Sequence, residues 1–142
     1  MISVLVTDGE NRAALAVTRS LGRKGCRVLV GGRPKNISSA SKYCAKAYHL
    51  PSPMIGEQQY LDCVLKVVRD ENVEIVFPMT EPAMHILSRK RHEFPEGALI
   101  AAPEWDKIKT ALDKVEVFRR AKDLGVGIPS TMFVRDREDF LS

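Results

Sequence analysis

The sequence lacks an apolar run approaching the roughly 20 residues that a membrane-spanning helix needs, so no membrane partner is expected. Its N-terminus, MISVLVTDGENR, has no basic segment ahead of an apolar one, and does not read as a secretory signal. Cysteine is scarce. Cys26, Cys44 and Cys63 are odd in number and form no C-x-x-C pair, which excludes a disulfide framework or a thiolate zinc site and predicts free thiols in a reducing cytoplasm. His49, His85 and His92 have no ligand spacing, so no metal ligands are expected. Aromatic residues make up only 6%, and the net charge of +4 is a mild bias. The densest basic run, Arg89-Lys90-Arg91-His92, has no aromatic residue interleaved to stack on bases. It falls where a helix should end, and cations there complement the macrodipole, so no nucleic-acid partner is expected.

What remains is an ordinary soluble composition, 44% hydrophobic and 28% charged, in a length that suits one domain. A continuous apolar strand pattern at residues 2–6 and largely apolar segments at 26–30, 47–50, 73–77 and 98–101 predict five strands. Between them, residues 11–24, 57–69 and 81–91 carry helical periodicity, with Ala14, Leu15, Val17, Thr18 and Leu21 on one inner stripe and Leu61, Val64, Leu65 and Val68 on another. Helix returns after Pro103. Such alternation predicts a Rossmann-like α/β/α fold, mainly parallel, with a strand order such as 3-2-1-4-5. In that order strands 1 and 4 are neighbours at the switch point. The loops leaving them, Asp8-Gly9-Glu10-Asn11 and Thr80-Glu81, then face one crevice, where open α/β sheets bind ligands.

The first loop superficially matches a dinucleotide fingerprint, which needs glycines so that backbone can approach a pyrophosphate. Counting from Gly9, however, Asn11 and Ala14 occupy the second and third glycine positions, and Arg33 follows strand 2 where a ribose-binding acid belongs. An arginine there suits a 2′-phosphate, so a stand-alone NADP-binding module is the alternative reading. A plain turn, with Asp8 or Asn11 as N-cap, explains the loop equally well on sequence grounds. Glu81 is either a first-turn acid behind a Thr80 cap or a carboxylate for the amine or hydroxyl of a small substrate.

Residues 113–130, DKVEVFRRAKDLGVGIPS, open with a D-x-x-E capping box at Asp113 and Glu116 and continue with an apolar face of Val117, Phe118, Ala121 and Leu124. Gly125 and Pro129 end the helix. Residues 131–134 predict a further strand and 137–141 the start of a helix. Lys114 is a cation in a first helical turn. It is either simply exposed or part of an anion-binding corner.

ALDKVEVFRRAKDLGVGIPSTMFV, following a five-strand unit with FPMTEPAMHIL, resembles the N-terminal part of ATP-grasp ligases, of the carbamoyl-phosphate-synthase-like and amino-acid-ligase-like kind. The resemblance implies a pre-ATP-grasp domain over residues 1–112, a linking helix and hinge over 113–130, and the start of a truncated ATP-grasp domain over 131–142. It further implies an ATP-dependent carboxylate–amine ligase working through an acyl phosphate. Lys114 would contact ATP phosphates, while Asp8, Gly9, Glu10, Asn11, Thr80 and Glu81 would help bind a small carboxylate or amine substrate. ATP and Mg2+ would be held mostly by a downstream domain, and a homo-oligomer is compatible with it. No catalytic residue is implied here, so residues 1–142 alone are expected to be inactive.

Overall fold

Strands β1 (Ser3–Val6), β2 (Arg27–Gly32), β3 (Cys44–His49), β4 (Ile75–Phe77) and β5 (Leu99–Ile100) form one sheet in a computed structural model that describes residues 1–134. All four pairings are parallel and the order is β3-β2-β1-β4-β5, the doubly wound order that the alternation predicts. Helix α1 (Arg12–Arg23) serves one face; α2 (Glu57–Asp70) and α3 (Glu81–Arg89) serve the other. Alternate strand residues feed the two layers. Val4, Val6, Val28 and Val30 pack with Ala14, Val17 and Leu21 of α1. Leu5, Leu29 and Val76 pack with Tyr60, Leu61, Val64, Val68 and Leu87 of α2 and α3. Burial on both faces is why β1 and β2 each carry a consecutive VLV rather than an alternation of polar and apolar residues.

The edges depart from the sequence reading. β3 begins at Cys44, three residues earlier than predicted, because its CAKAYH sequence is mostly exposed and needs no apolar run. β4 and β5 are shorter than their apolar runs. α3 stops at Arg89, and a single 3-10 turn (Arg91–Glu93) follows. There Arg91 donates to the carbonyls of Ile100, Ala102 and Pro103, so part of the basic run fastens the end of β5.

The chain divides into two compact units, Met1–Glu104 and Trp105–Ser142. The second contains α4 (Trp105–Leu112) and α5 (Lys114–Asp123). Asp113 caps α5 by accepting from the Glu116 amide at 3.1 Å. The reciprocal arm of the capping box is missing, because the Glu116 carboxylate holds Arg119 and Arg120 instead. Gly125 adopts φ 71°, the left-handed conformation that ends a helix. Val117 and Leu124 of the predicted apolar face are exposed. Phe118 meets Phe133 edge-on at 5.8 Å. Residues 131–134 are not a strand; an extended segment needs a partner for its backbone groups, and the described residues of this unit offer none. The helix predicted for 137–141 lies outside the described residues.

Candidate functional site

Parallel pairing of Val6 with Phe77 brings the carboxyl ends of β1 and β4 side by side. Thr7 N extends the ladder by donating to Phe77 O at 3.0 Å. Immediately beyond, Asp8 turns the chain with φ 55°, a left-handed conformation that costs a non-glycine residue energy and that Asp tolerates better than most. Asp8 as a whole is buried. Oδ2 accepts from the Thr7 hydroxyl and, at 3.1 Å, from the Met79 amide at the end of β4. One aspartate thus clamps the two loops that the topology makes neighbours.

The other loop residues have separable roles. Gly9 donates to Gly31 O and accepts from Ser38 N, both at 3.0 Å, and a Cβ there would stand 2.5 Å from Asn36 Oδ1 and 2.6 Å from Val30 Cγ1. Asn11 caps α1, its Oδ1 accepting from Ala13 N at 3.0 Å. Thr80 caps α3 through Ala83 N at 3.4 Å. Glu10 reaches across to Arg33, with Oε1 3.3 Å from Nε, and covers Gly32.

These pieces line a cleft of about 660 Å³ in the first unit. Asp8, Glu10, Asn11 and Thr80 form its polar side, as the sequence predicts. Gly9 lies behind the lining as a packing residue. Glu81 is not part of the lining; it is exposed and faces His85 one turn along α3, at 3.8 Å. Lys114 belongs to the second unit, exposed at the first position of α5. Sequence reasoning missed the apolar wall, made by Leu50, Pro51, Pro53, Met54 and Ile55, and the inner residue Tyr60. The prolines read only as a strand stop, and Tyr60 sits within the apolar stripe of α2. Tyr60 is 1% exposed, and its hydroxyl has no hydrogen-bond partner of acceptable geometry. Burial, reinforced by the carboxylates of Asp8 and Glu10, pushes its pKa up, so it stays a neutral O–H.

The loop is poorly suited to a pyrophosphate. The Gly9 amide is spent on Gly31, that of Asn11 on Asp8 O, and that of Ala13 on the Asn11 cap. The Glu10 carboxylate occupies the space beside Gly32 where phosphates would approach. Among the described residues no cluster of His, Cys, Asp or Glu could hold a metal ion, and no helix is long and apolar enough to cross a membrane.

Comparison with solved structures finds the same fold in the biotin carboxylase domain of a single-chain bacterial carboxylase, at 21% identity and a TM-score of 0.68, covering 98% of this chain and 33% of that one. The Hydrogenobacter thermophilus 2-oxoglutarate carboxylase biotin carboxylase domain, a dimer in complex with MgADP and bicarbonate, matches at 21% identity and a TM-score of 0.67, with 97% and 31% coverage. A Rhizobium etli pyruvate carboxylase matches at 18% identity and a TM-score of 0.65, with 93% and 14% coverage. The chain therefore spans a third or less of the length of these structures. No curated protein matches the sequence. A family model, the PylC-like N-terminal domain, matches residues 4–101, a segment that runs from within β1 past the end of β5 and includes the cleft. The chain belongs to the PylC-like N-terminal domain family.

Proposed function

We propose that this chain is the substrate-side domain of an ATP-dependent carboxylate–amine ligase, and that its cleft receives the small amine-bearing substrate. The observation that carries the reading is the Asp8 clamp. A buried, conformationally strained aspartate is fixed at the switch point with a second carboxylate, Glu10, beside it. Strain held in place by surrounding bonds is characteristic of sites rather than of plain turns. The only cation in the lining, Arg33, is already paired with Glu10, so the cleft favours a cationic or neutral head group over an anion. In such a reaction the acid is activated as an acyl phosphate and the amine attacks its carbonyl carbon, releasing phosphate.

ATP fits this chain in one respect. Lys114, at the start of α5, is an exposed cation that could meet a phosphate, although the helix end beside it is already capped by the Asp113 carboxylate. Magnesium does not fit, since the described residues offer no ligand set. Both ligands are therefore assigned mainly to a downstream ATP-grasp domain, and residues 1–142 alone are expected to be inactive. Three free cysteines agree with a reducing cytoplasm. The NADP reading is less well supported, because the loop amides and the space beside Gly32 are occupied.

The test is to express the full coding sequence that contains this chain and measure ADP release. The proposal predicts release that requires both an acid and an amine, and acyl hydroxamate formation when hydroxylamine replaces the amine. ADP release that no acid stimulates, or a coding sequence with no ATP-grasp segment within or beside it, contradicts the proposal.

A further inference from the structure

The apolar part of the cleft lining has a composition that an amine site does not require. Leu50, Pro51, Pro53, Met54 and Ile55 form it, and Met54 and Ile55 are 76% and 87% exposed at its mouth. Large apolar side chains left open beside a formed cleft mark a binding surface more often than an ordinary loop.

The wall is held in place. Leu50 donates its amide to Gly32 O at 3.0 Å, and its side chain fills the space over Gly31, where a Cβ would stand 2.3 Å from Leu50 Cδ1. A turn then follows, with Ile55 N donating to Ser52 O at 3.1 Å and Met54 N to Ser52 Oγ at 3.3 Å, before α2 begins. The wall is thus fastened to β2 at one end and to α2 at the other. Tyr60 lies at the inner end, where apolar wall and carboxylates meet, with its buried hydroxyl unpartnered. The helix ends nearest the polar side, those of α1 and α3, are closed by Asn11 and Thr80, so they do not offer bare amides to an anion.

We infer that residues 50–55 form a specificity subsite, and that the cleft selects an amphipathic ligand. Its ammonium head lies toward Asp8 and Glu10, and an aliphatic or aromatic body lies along Leu50, Met54 and Ile55. This rests on the amine reading above and adds to it the shape and polarity of the remainder of the ligand. The cleft volume of about 660 Å³ suits a molecule of that kind. Burying a methylene contributes up to about 0.8 kcal/mol, or nearly fourfold in affinity, so partial burial should give about twofold to threefold per carbon.

The experiment is a chemical-shift titration of the 15N-labelled 142-residue chain with methylammonium, ethylammonium, propylammonium, butylammonium and phenethylammonium chlorides. Each added carbon should tighten binding by about twofold to threefold, with shifts at residues 8–11 and 50–56. In the Met54→Ser/Ile55→Ser double variant the series should flatten while methylammonium affinity stays unchanged; both residues are exposed, so the fold is retained. Binding that is equally strong along the series overturns the inference and leaves the amine reading standing. The absence of binding by any amine overturns the amine reading, and the inference with it. Tighter binding of longer amines that the double variant does not alter assigns the body elsewhere and also overturns the inference. Concentration-dependent self-association of the chain that the double variant abolishes would assign Met54 and Ile55 to a contact between copies, again overturning it.

Discussion

Replacing Asp8 separates its structural from its ligand-binding role. In Asp8→Ala the Met79 amide and Thr7 hydroxyl lose a charged acceptor in a buried place. Such a loss costs about 1–3 kcal/mol. Alanine must also take up the φ of 55° that Asp tolerates, adding about 1 kcal/mol. The expected destabilisation is about 2–4 kcal/mol, read as a lower urea midpoint with an unchanged slope. Asp8→Gly makes the same hydrogen-bond loss without the backbone strain, so it should be about 1 kcal/mol more stable than the alanine variant. Asp8→Asn keeps an acceptor oxygen and a side chain that accepts left-handed backbone, and should stay within about 1 kcal/mol of the parent. It removes a charge, however. A charge pair about 4 Å apart is worth about 1–4 kcal/mol between bulk water and a protein surface, so butylammonium affinity should fall at least about fivefold. Alanine and parent unfolding free energies within about 0.5 kcal/mol of each other would refute the clamp, and unchanged amine binding in the asparagine variant would refute the charge role.

Gly31→Ala places a methyl 2.3 Å from Leu50 Cδ1, so Leu50 must move. Overpacking of this kind costs about 1–3 kcal/mol by urea unfolding, and amide shifts should spread along residues 50–55. Tyr60→Phe removes a buried hydroxyl that has no partner, so the parent's urea midpoint should be matched or exceeded; a clear loss would mean that the hydroxyl is bonded. Lys46, then Tyr48 and Arg27, hold the Glu71 carboxyl at about 2, well below its ordinary 4.5. A depressed carboxylate stabilises above the unfolded value and loses that contribution as pH falls from about 4.5 toward 2. Glu71→Gln should therefore lower the melting temperature at pH 7 and approach the parent below pH 3; a pH-independent difference would contradict this. Lys114→Ala in the protein carrying its ATP-grasp domain should raise the Michaelis constant for ATP with the fold intact, and an unchanged constant would remove the lysine from the phosphate site.

The sheet was legible because strands buried on two faces leave consecutive apolar residues, as in the VLV of ISVLV and of CRVLV, and because the connecting helices carry clear inner stripes. β3 was misplaced where that signal fades, at a mostly exposed edge. From the strand order the sequence also placed Asp8, Glu10, Asn11 and Thr80 correctly at one crevice. It could not tell that Glu81, one residue past Thr80, points away from the lining, since a helix start turns successive side chains by about 100°. The left-handed turn at Asp8, its bond to an amide 71 positions away and the apolar wall at 50–55 arise from tertiary contact, which no local pattern records.

The most direct measurement is a paired titration of the 15N-labelled chain with butylammonium and with NADPH. The expected result is saturable amide shifts at residues 8–11, 50–56 and 79–82 with the amine, and none with the nucleotide. Micromolar saturation by NADPH at residues 8–11 and 31–33, with displacement of the amine, would contradict it and make the cleft a dinucleotide site.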